Sequence, residues 1–170
     1  MNTTDEVRRD AIPTWRVESH GERPSPIERE WLLTNGAGGY AMGTAMGCNT
    51  RRYHGLLVAA ARPPVERRVT VNAVNEAITL DGRRIELANH EFAGDQANVF
   101  HPQGWHHLQT FEKDLQARWT YRIGPVEMVK RLRLIWKRQV AVVSYTIELP
   151  SDTREYTADR VTLELAPLLA

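Results

Sequence analysis

Alternating apolar and polar residues recur along most of the chain, a pattern typical of β-strands rather than helices. Side chains alternate between the two faces of a sheet, so a half-buried strand repeats its apolar residues with a period of two. No window of the sequence shows a sustained apolar period of about 3.6 residues, which an amphipathic helix requires. The pattern therefore predicts an all-β fold, arranged as a large antiparallel β-sandwich.

Turn-forming residues divide the chain into segments that favour extended structure. Glycine, proline, asparagine and aspartate punctuate it, because they adopt the backbone angles that turns need. The segment from Asn89 to Trp105 contains several of them, and we predict it to be irregular. The predicted strands are 15–17, 30–34, 44–48, 53–60, 68–80, 85–87, 108–115, 117–123, 126–135, 140–149 and 160–165.

The longest predicted strand shows a change in the phase of its apolar residues. Val69 and Val71 are odd-numbered, whereas Val74 is even-numbered, and such a change predicts a β-bulge near Ala73. The strand ends at Asp81-Gly82. This pair predicts a two-residue hairpin turn, because a type I′ turn needs positive φ at both central residues.

Length and composition are those of an ordinary globular domain. The chain has 170 residues, of which 42% are hydrophobic and 25% charged, and this is enough for one core. Its net charge of +1 provides no strong field that would attract nucleic acid or an anionic membrane. No apolar run approaches the about 20 residues that span a bilayer, and the N-terminus lacks the apolar region of a signal peptide. We expect a cytoplasmic protein that binds no nucleic acid, membrane or cofactor.

Both ends of the chain differ from its middle. Residues 1–14 are mostly polar, and we expect a flexible lead-in before a β-domain at 15–170. The last five residues, Ala166-Pro167-Leu168-Leu169-Ala170, are apolar and follow directly on a predicted strand. We therefore expect the chain to be a piece of a longer protein, and the sandwich to be incomplete at its C-terminal end.

A glycine-rich stretch beginning at Gly36 fits the loose G-x-G-x-x-G/A fingerprint of dinucleotide-binding loops. That fingerprint requires a helix to begin there, but Gly43 and Gly47 follow, and each glycine costs about 1 kcal/mol inside a helix. No acidic residue lies near Ala61 to bind a ribose. We interpret the stretch as closely approaching strands and turns rather than as a phosphate site.

The densest polar cluster follows these glycines, and its members are Asn49, Arg51, Arg52, Tyr53 and His54. Arginine and asparagine can bind adjacent sugar hydroxyls, and an aromatic ring can stack on the apolar face of a pyranose. These five residues are therefore the candidates for substrate binding. The alternative is a structural loop whose arginines pair with carboxylates. If the cluster were a strand, alternation would place only about half of it in one site.

The sequence predicts neither a metal site nor a catalytic group. His101, His106 and His107 have no carboxylate at ligand spacing, and adjacent histidines on a strand face opposite ways. A glycosidase needs two carboxyl groups across the bond it cleaves, and no pair of acids fits that requirement. Cys48, the only cysteine, lies in no nucleophile motif and is interpreted as a small buried residue. The acids nearest the unusual stretches, interpreted as solvated or salt-bridged, are Glu30, Glu76, Glu91 and Asp95.

Four motifs stand out, namely Glu30-Trp31-Leu32-Leu33-Thr34-Asn35-Gly36, Gly38-Gly39-Tyr40, Gly43-Thr44 and Asn49-Thr50-Arg51-Arg52-Tyr53-His54-Gly55-Leu56-Leu57-Val58. With them, the chain resembles the N-terminal domain of bacterial and archaeal glycogen debranching enzymes of the amylo-α-1,6-glucosidase type. The later segments Pro63-Pro64, Arg68-Val69 and 161–165 are similar too. The resemblance implies a supersandwich-like β-domain followed by an (α/α)6 barrel that carries the catalytic acids.

The resemblance also implies a role in the hydrolysis of α-1,6 branches in glycogen-like glucans. The chain alone would be inactive because the catalytic barrel is missing, and its partners would be that barrel and α-glucan. One alternative is a purely structural interaction domain that packs on the barrel and contacts no sugar. Another is an independent carbohydrate-binding module, whose exposed aromatic platform would come from Trp105, Trp119 or Trp136.

Overall fold

The computed structural model describes residues 14–19, 29–92, 99–149 and 160–170. The regular structure of these ranges consists of strands and one short 3-10 helix, Gly104–His107. All but the last residue of the predicted lead-in lies outside the described residues. The strands are β1 (Trp15–Glu18), β2 (Glu30–Thr34), β3 (Tyr40–Thr44), β4 (Gly55–Arg62), β5 (Val65–Leu80), β6 (Arg83–Glu86), β7 (Asn89–Phe92), β8 (Val99–Gln103), β9 (Leu108–Lys113), β10 (Ala117–Ile123), β11 (Val126–Leu134), β12 (Ala141–Glu148) and β13 (Val161–Leu169).

Two antiparallel sheets pack face to face, which confirms the all-β sandwich. One sheet has the strand order β1-β9-β10-β11-β12. The other has the order β13-β5-β4-β3-β2, with β6 paired to the end of β5. Strands β7 and β8 form a separate two-stranded sheet. Every strand pair is antiparallel, so short turns suffice for most of the connections.

Aromatic side chains fill the centre of the sandwich. Trp31 of β2, Phe111 of β9 and Trp119 of β10 are all buried. The ring centroids of Trp31 and Trp119 lie 5.5 Å apart, and those of Phe111 and Trp119 lie 5.1 Å apart. Aromatic residues bury large apolar areas, so this cluster holds the two sheets together through the hydrophobic effect.

Strand β5 contains the predicted bulge and ends in the predicted turn. Its register with β13 skips Asn72, so one extra residue is inserted there. The insertion allows both Val71 and Val74 to pack against the core. At the turn into β6, Asp81 has a φ of 50° and Gly82 a φ of 77°. Positive φ at both central residues confirms the two-residue hairpin turn.

Two local predictions are wrong. The predicted strand 44–48 is not formed, because β3 ends at Thr44 and a turn follows. The Thr44 hydroxyl donates to the Cys48 carbonyl at 2.8 Å and accepts from the Cys48 amide at 3.1 Å, which closes that turn. The segment predicted to be irregular, 89–105, instead contains β7 and β8; its residues 93–98 lie outside the described part of the chain.

Candidate functional site

The glycine loop, residues 35–39, connects β2 to β3 and is organised by the side chain of Asn35. Asn35 is 0% exposed, and its Oδ1 accepts hydrogen bonds from the backbone amides of Ala37 and Gly39, each at 2.9 Å. Its Nδ2 donates to the carbonyl of Arg138 at 2.8 Å and to Oε1 of Gln139 at 3.2 Å. Since Asn35 occupies two of the loop's amides, this loop is built around an internal side chain rather than around a phosphate.

Two glycines of this loop are required by close approach. A Cβ atom at Gly36 would lie 2.3 Å from the indole of Trp136, and one at Gly38 would lie 2.3 Å from the carbonyl oxygen of Pro64. Both glycines also have positive φ, of 70° and 82°. Glycine is therefore needed here for its backbone angles and for its missing side chain.

The polar loop, residues 49–54, is a turn folded around His54. The backbone amide of Thr50 donates to His54 Nδ1 at 3.2 Å, so the ring proton lies on Nε2. His54 is 0% exposed, and its Nε2 lies 3.3 Å from Oε1 of Glu30 without forming an aligned hydrogen bond. Burial lowers the pKa of His54, an effect that the nearby Glu30 carboxylate opposes. His54 is thus an internal support of the loop.

Two further members of the predicted cluster are also bound by the protein itself. The Asn49 side-chain amide donates to the backbone carbonyl of Asn72 at 3.0 Å and to its Oδ1 at 2.9 Å. These bonds attach the loop to the bulge of β5. Arg51 donates to the carboxylate of Glu30. Because Glu30 faces both Arg51 and His54, it fixes the loop to the first residue of β2.

Arg52 and Tyr53, the remaining pair, face solvent. Tyr53 is 54% exposed, and the guanidinium carbon of Arg52 lies 5.7 Å from the centroid of its ring. The phenol of Tyr40 donates to the Tyr53 backbone carbonyl at 3.4 Å. The structure therefore separates the five predicted residues by their bonds. The side chains of Asn49, Arg51 and His54 form an anchored set bonded within the protein, although that of Arg51 is 68% exposed, and Arg52 and Tyr53 form an exposed pair.

A groove on the outer face of the six-stranded sheet lies beside this pair. It has a volume of about 430 Å³ and reaches from the glycine loop to the middle of β3. Burial raises the pKa of the Tyr40 phenol, and the nearby Arg67 guanidinium opposes that shift. The sequence analysis did not identify Tyr40 or Arg67, although alternation along β3 places Tyr40 opposite to the buried Ala41. The groove residues are Leu32, Thr34, Gly36, Gly38, Gly39, Tyr40, Met42 and Arg67.

Elsewhere, the described ranges contain no group of three or more His, Cys, Asp or Glu side chains that could hold a metal ion. Cys48 is buried, and burial raises the pKa of its thiol to about 11, so the thiol form prevails at neutral pH.

Of the three tryptophans considered as a platform for sugar stacking, Trp105 and Trp119 are buried. Only Trp136 is exposed.

Comparison with known families identifies the chain. A family model described as "glycogen debranching enzyme N terminal" matches residues 29–170, which include β2 to β13 and both loops. The chain belongs to this family. Comparisons of this debranching-enzyme N-terminal domain with curated proteins and with solved structures gave no match. The family match confirms the resemblance seen between Glu30 and Val58.

Within the described ranges of this debranching-enzyme domain, Lys130 and Glu76 form a buried ion pair. The Lys130 ammonium on β11 lies 2.5 Å from the Glu76 carboxylate on β5, and the Tyr145 phenol on β12 donates to the same oxygen at 2.6 Å. Both charged residues are buried, so each compensates the desolvation of the other. The group links the two sheets.

In the described part of the chain, no helix is long and apolar enough to cross a membrane.

Proposed function

We propose that this chain is a non-catalytic domain of an amylo-α-1,6-glucosidase-type debranching enzyme and that its polar loop contacts α-glucan. The family match supports the enzyme class. The observation that carries the sugar contact is the exposed pair, Arg52 beside the ring of Tyr53. A cytoplasmic setting, carbohydrate metabolism and an (α/α)6 catalytic barrel as partner are parts of the same proposal.

The exposed pair has the chemistry that sugar recognition needs. The Tyr53 ring offers an apolar surface to the C–H face of a pyranose, and the Arg52 guanidinium donates to its hydroxyls. The anchored set restricts the conformations of the loop before any ligand binds, since all three of its side chains are already bonded within the protein. Prior ordering of this kind lowers the entropic cost of binding.

Two carboxylates near the unusual stretches of the sequence, Glu30 and Glu76, support a non-catalytic role. Hydrolysis of a glycosidic bond uses one carboxyl group as an acid and a second as a base or nucleophile. Glu30 is bound by Arg51, and Glu76 is buried with Lys130 and Tyr145. Both acids therefore stabilise the domain, and the proposal assigns catalysis to the partner barrel.

Titration calorimetry with maltoheptaose tests the sugar contact. We expect Tyr53→Ala to weaken binding by about tenfold, because a stacked aromatic contact is worth about 1 kcal/mol or more. Arg52→Ala should weaken it less. Leu115→Ala is the control, since Leu115 is 74% exposed in the turn between β9 and β10 of the five-stranded sheet, whereas the polar loop joins β3 and β4 of the other sheet. Unchanged affinity in both loop variants would contradict the proposal.

A second candidate function, packing on a neighbouring domain without sugar contact, is favoured by the exposed leucines of β13. Leu165, Leu168 and Leu169 are all exposed on this edge strand. Exposed apolar side chains gathered on a sheet edge are a feature of interaction sites. Sedimentation of the chain should show self-association that Leu169→Lys reduces. Leu115→Lys is the control, since Leu115 is equally exposed, at 74%, but lies in a turn. A wild-type chain that stays monomeric at every concentration would contradict this candidate.

A further inference from the structure

Trp136 is a large aromatic residue that remains 66% exposed, whereas Trp31, Trp105 and Trp119 are buried. It lies in the turn between β11 and β12, on the side of the sandwich where the glycine loop approaches. Burying an aromatic side chain would stabilise the domain by about 1.5–3 kcal/mol, so leaving one in water needs a reason.

The turn that contains Trp136 is rigidly attached to the glycine loop. The Lys137 amide donates to the carbonyl of Asn35 at 2.6 Å, and the Asn35 side chain bonds the same turn at Arg138. Lys137 has a φ of 56°, which is uncommon for a residue with a side chain. The indole packs on Gly36, which a side chain at that position would prevent. The ring is therefore held in one place before any ligand arrives.

The outer-face groove begins at Gly36, the residue on which the indole packs. Its lining includes the apolar residues Leu32 and Met42 and the hydroxyl-bearing residues Thr34 and Tyr40. The Arg67 Nε donates to the carbonyl of Gly38 at 2.8 Å, which orients the guanidinium. An apolar lining with a few fixed polar groups is typical of small-molecule sites.

We propose that Trp136 and this groove form a second subsite for a chain of pyranose units, one unit stacking on the indole and the next lying in the groove. This inference rests on the proposed function, but it concerns a different surface from the polar loop. The Thr34 and Tyr40 hydroxyls and the Arg67 guanidinium pair with sugar hydroxyls, and Leu32 and Met42 contact C–H faces.

The size of the groove favours a sugar over a protein segment. Its volume of about 430 Å³ lies in the range of about 300–1,000 Å³ that small-molecule sites have. Eight residues line it, whereas a stable protein interface uses about 20–30 residues on each side. Arg67 is the one charged residue among the eight. So weakly charged a lining suits a neutral ligand such as a sugar.

Acrylamide quenching of tryptophan fluorescence tests the subsite, with maltoheptaose as the ligand. Among the tryptophans of the described ranges, Trp136 is the most exposed, so quenching of the free chain reports mainly on its indole. Maltoheptaose should protect this fluorescence. Trp136→Ala should abolish the protected component and weaken calorimetric binding by about tenfold, whereas Trp136→Phe should retain most of the affinity because it keeps a ring. Leu115→Ala again serves as the control.

The outcomes separate this inference from the proposed function. If Trp136→Ala and Trp136→Phe both bind as the wild type does, while Tyr53→Ala loses affinity, the subsite is wrong and the polar loop stands. If Trp136→Ala loses affinity and Tyr53→Ala does not, the subsite stands and the polar-loop contact is wrong. A wild-type chain whose fluorescence and heat do not respond to maltoheptaose overturns both.

Thr34→Val gives a variant that leaves the indole and its Gly36 contact in place, and it should weaken binding by about threefold through one lost hydrogen bond.

Discussion

The glycine loop and the polar loop lie at opposite ends of β3, and both stand out in the sequence, yet they use their unusual residues differently. In the glycine loop, the Asn35 side chain binds the backbone of its own loop and that of the turn containing Arg138. In the polar loop, Asn49 and His54 are bound inward, while Tyr53 faces solvent. Unusual composition therefore marks where the backbone is constrained, and side-chain bonds together with exposure then show which residues are free to meet a ligand.

The largest effect is expected at the centre of the glycine loop. Asn35→Ala removes four hydrogen bonds of a fully buried side chain and leaves amides of Ala37 and Gly39 without their acceptor. We expect a loss of about 4 kcal/mol in the free energy of unfolding, measured by urea denaturation, because each unsatisfied buried group costs about 1–3 kcal/mol. Asn49→Ala, at a half-buried position, should cost about 1 kcal/mol. Equal losses for the two variants would contradict the contrast between the loops.

The second largest loss of stability is expected at Gly38, and comparison with Gly47 distinguishes the cost of an unfavourable backbone angle from the cost of a steric clash. Gly38 and Gly47 both have positive φ, but a Cβ at Gly38 would meet the Pro64 carbonyl, whereas nothing lies within 4 Å of one at Gly47. Gly47→Ala should cost about 1 kcal/mol, the penalty of the left-handed angle alone. Gly38→Ala should cost about 3 kcal/mol, since overpacking adds to it. Thermal unfolding of the two variants measures the difference, and matching melting temperatures would refute it.

The internal support of the polar loop should make stability depend on pH. His54 is buried with a lowered pKa, facing Glu30 and the Arg51 side chain, so on acidification the unfolded chain takes up its proton first. Its contribution to stability is complete above about pH 6.5, the pKa of an unfolded histidine, and falls as the pH drops below that. The slope is at most about 1.4 kcal/mol per pH unit.

Urea unfolding at a series of pH values measures this dependence. The His54→Gln variant is the control, because it removes the titrating ring while the other groups, including the half-buried His107, continue to titrate. The difference between the two stability curves should narrow as the pH falls from about 6.5. A constant difference across the series would show that His54 does not titrate on unfolding.

The main architecture was predictable because it depends on neighbours in sequence. Alternation predicted the sandwich, and Asp81-Gly82 predicted a turn whose angles are set by those two residues alone. The strand predicted at 44–48 failed because the Thr44 hydroxyl bonds to Cys48 and closes a turn, a choice that alternation cannot reveal. The glycine loop was interpreted correctly as a place of close approach.

The partners of the candidate site were not predictable. Asn35 meets Gln139, and Gly36 meets Trp136, about a hundred residues away along the chain. Such contacts depend on how the two sheets stack, which a single sequence does not specify. The division of the polar loop into anchored and exposed residues likewise depends on Glu30 and Asn72, which belong to other strands.

The smallest effect on stability is expected at Tyr53, and it tests the central claim most directly. Urea unfolding and maltoheptaose titration should be measured on the same sample of the Tyr53→Ala variant. The free energy of unfolding should stay within about 0.5 kcal/mol of the wild type, because the side chain is exposed and its ring contacts the exposed guanidinium of Arg52. The affinity for maltoheptaose should fall by about tenfold. Lost stability with unchanged affinity would show that Tyr53 belongs to the structure of the loop and not to a sugar site.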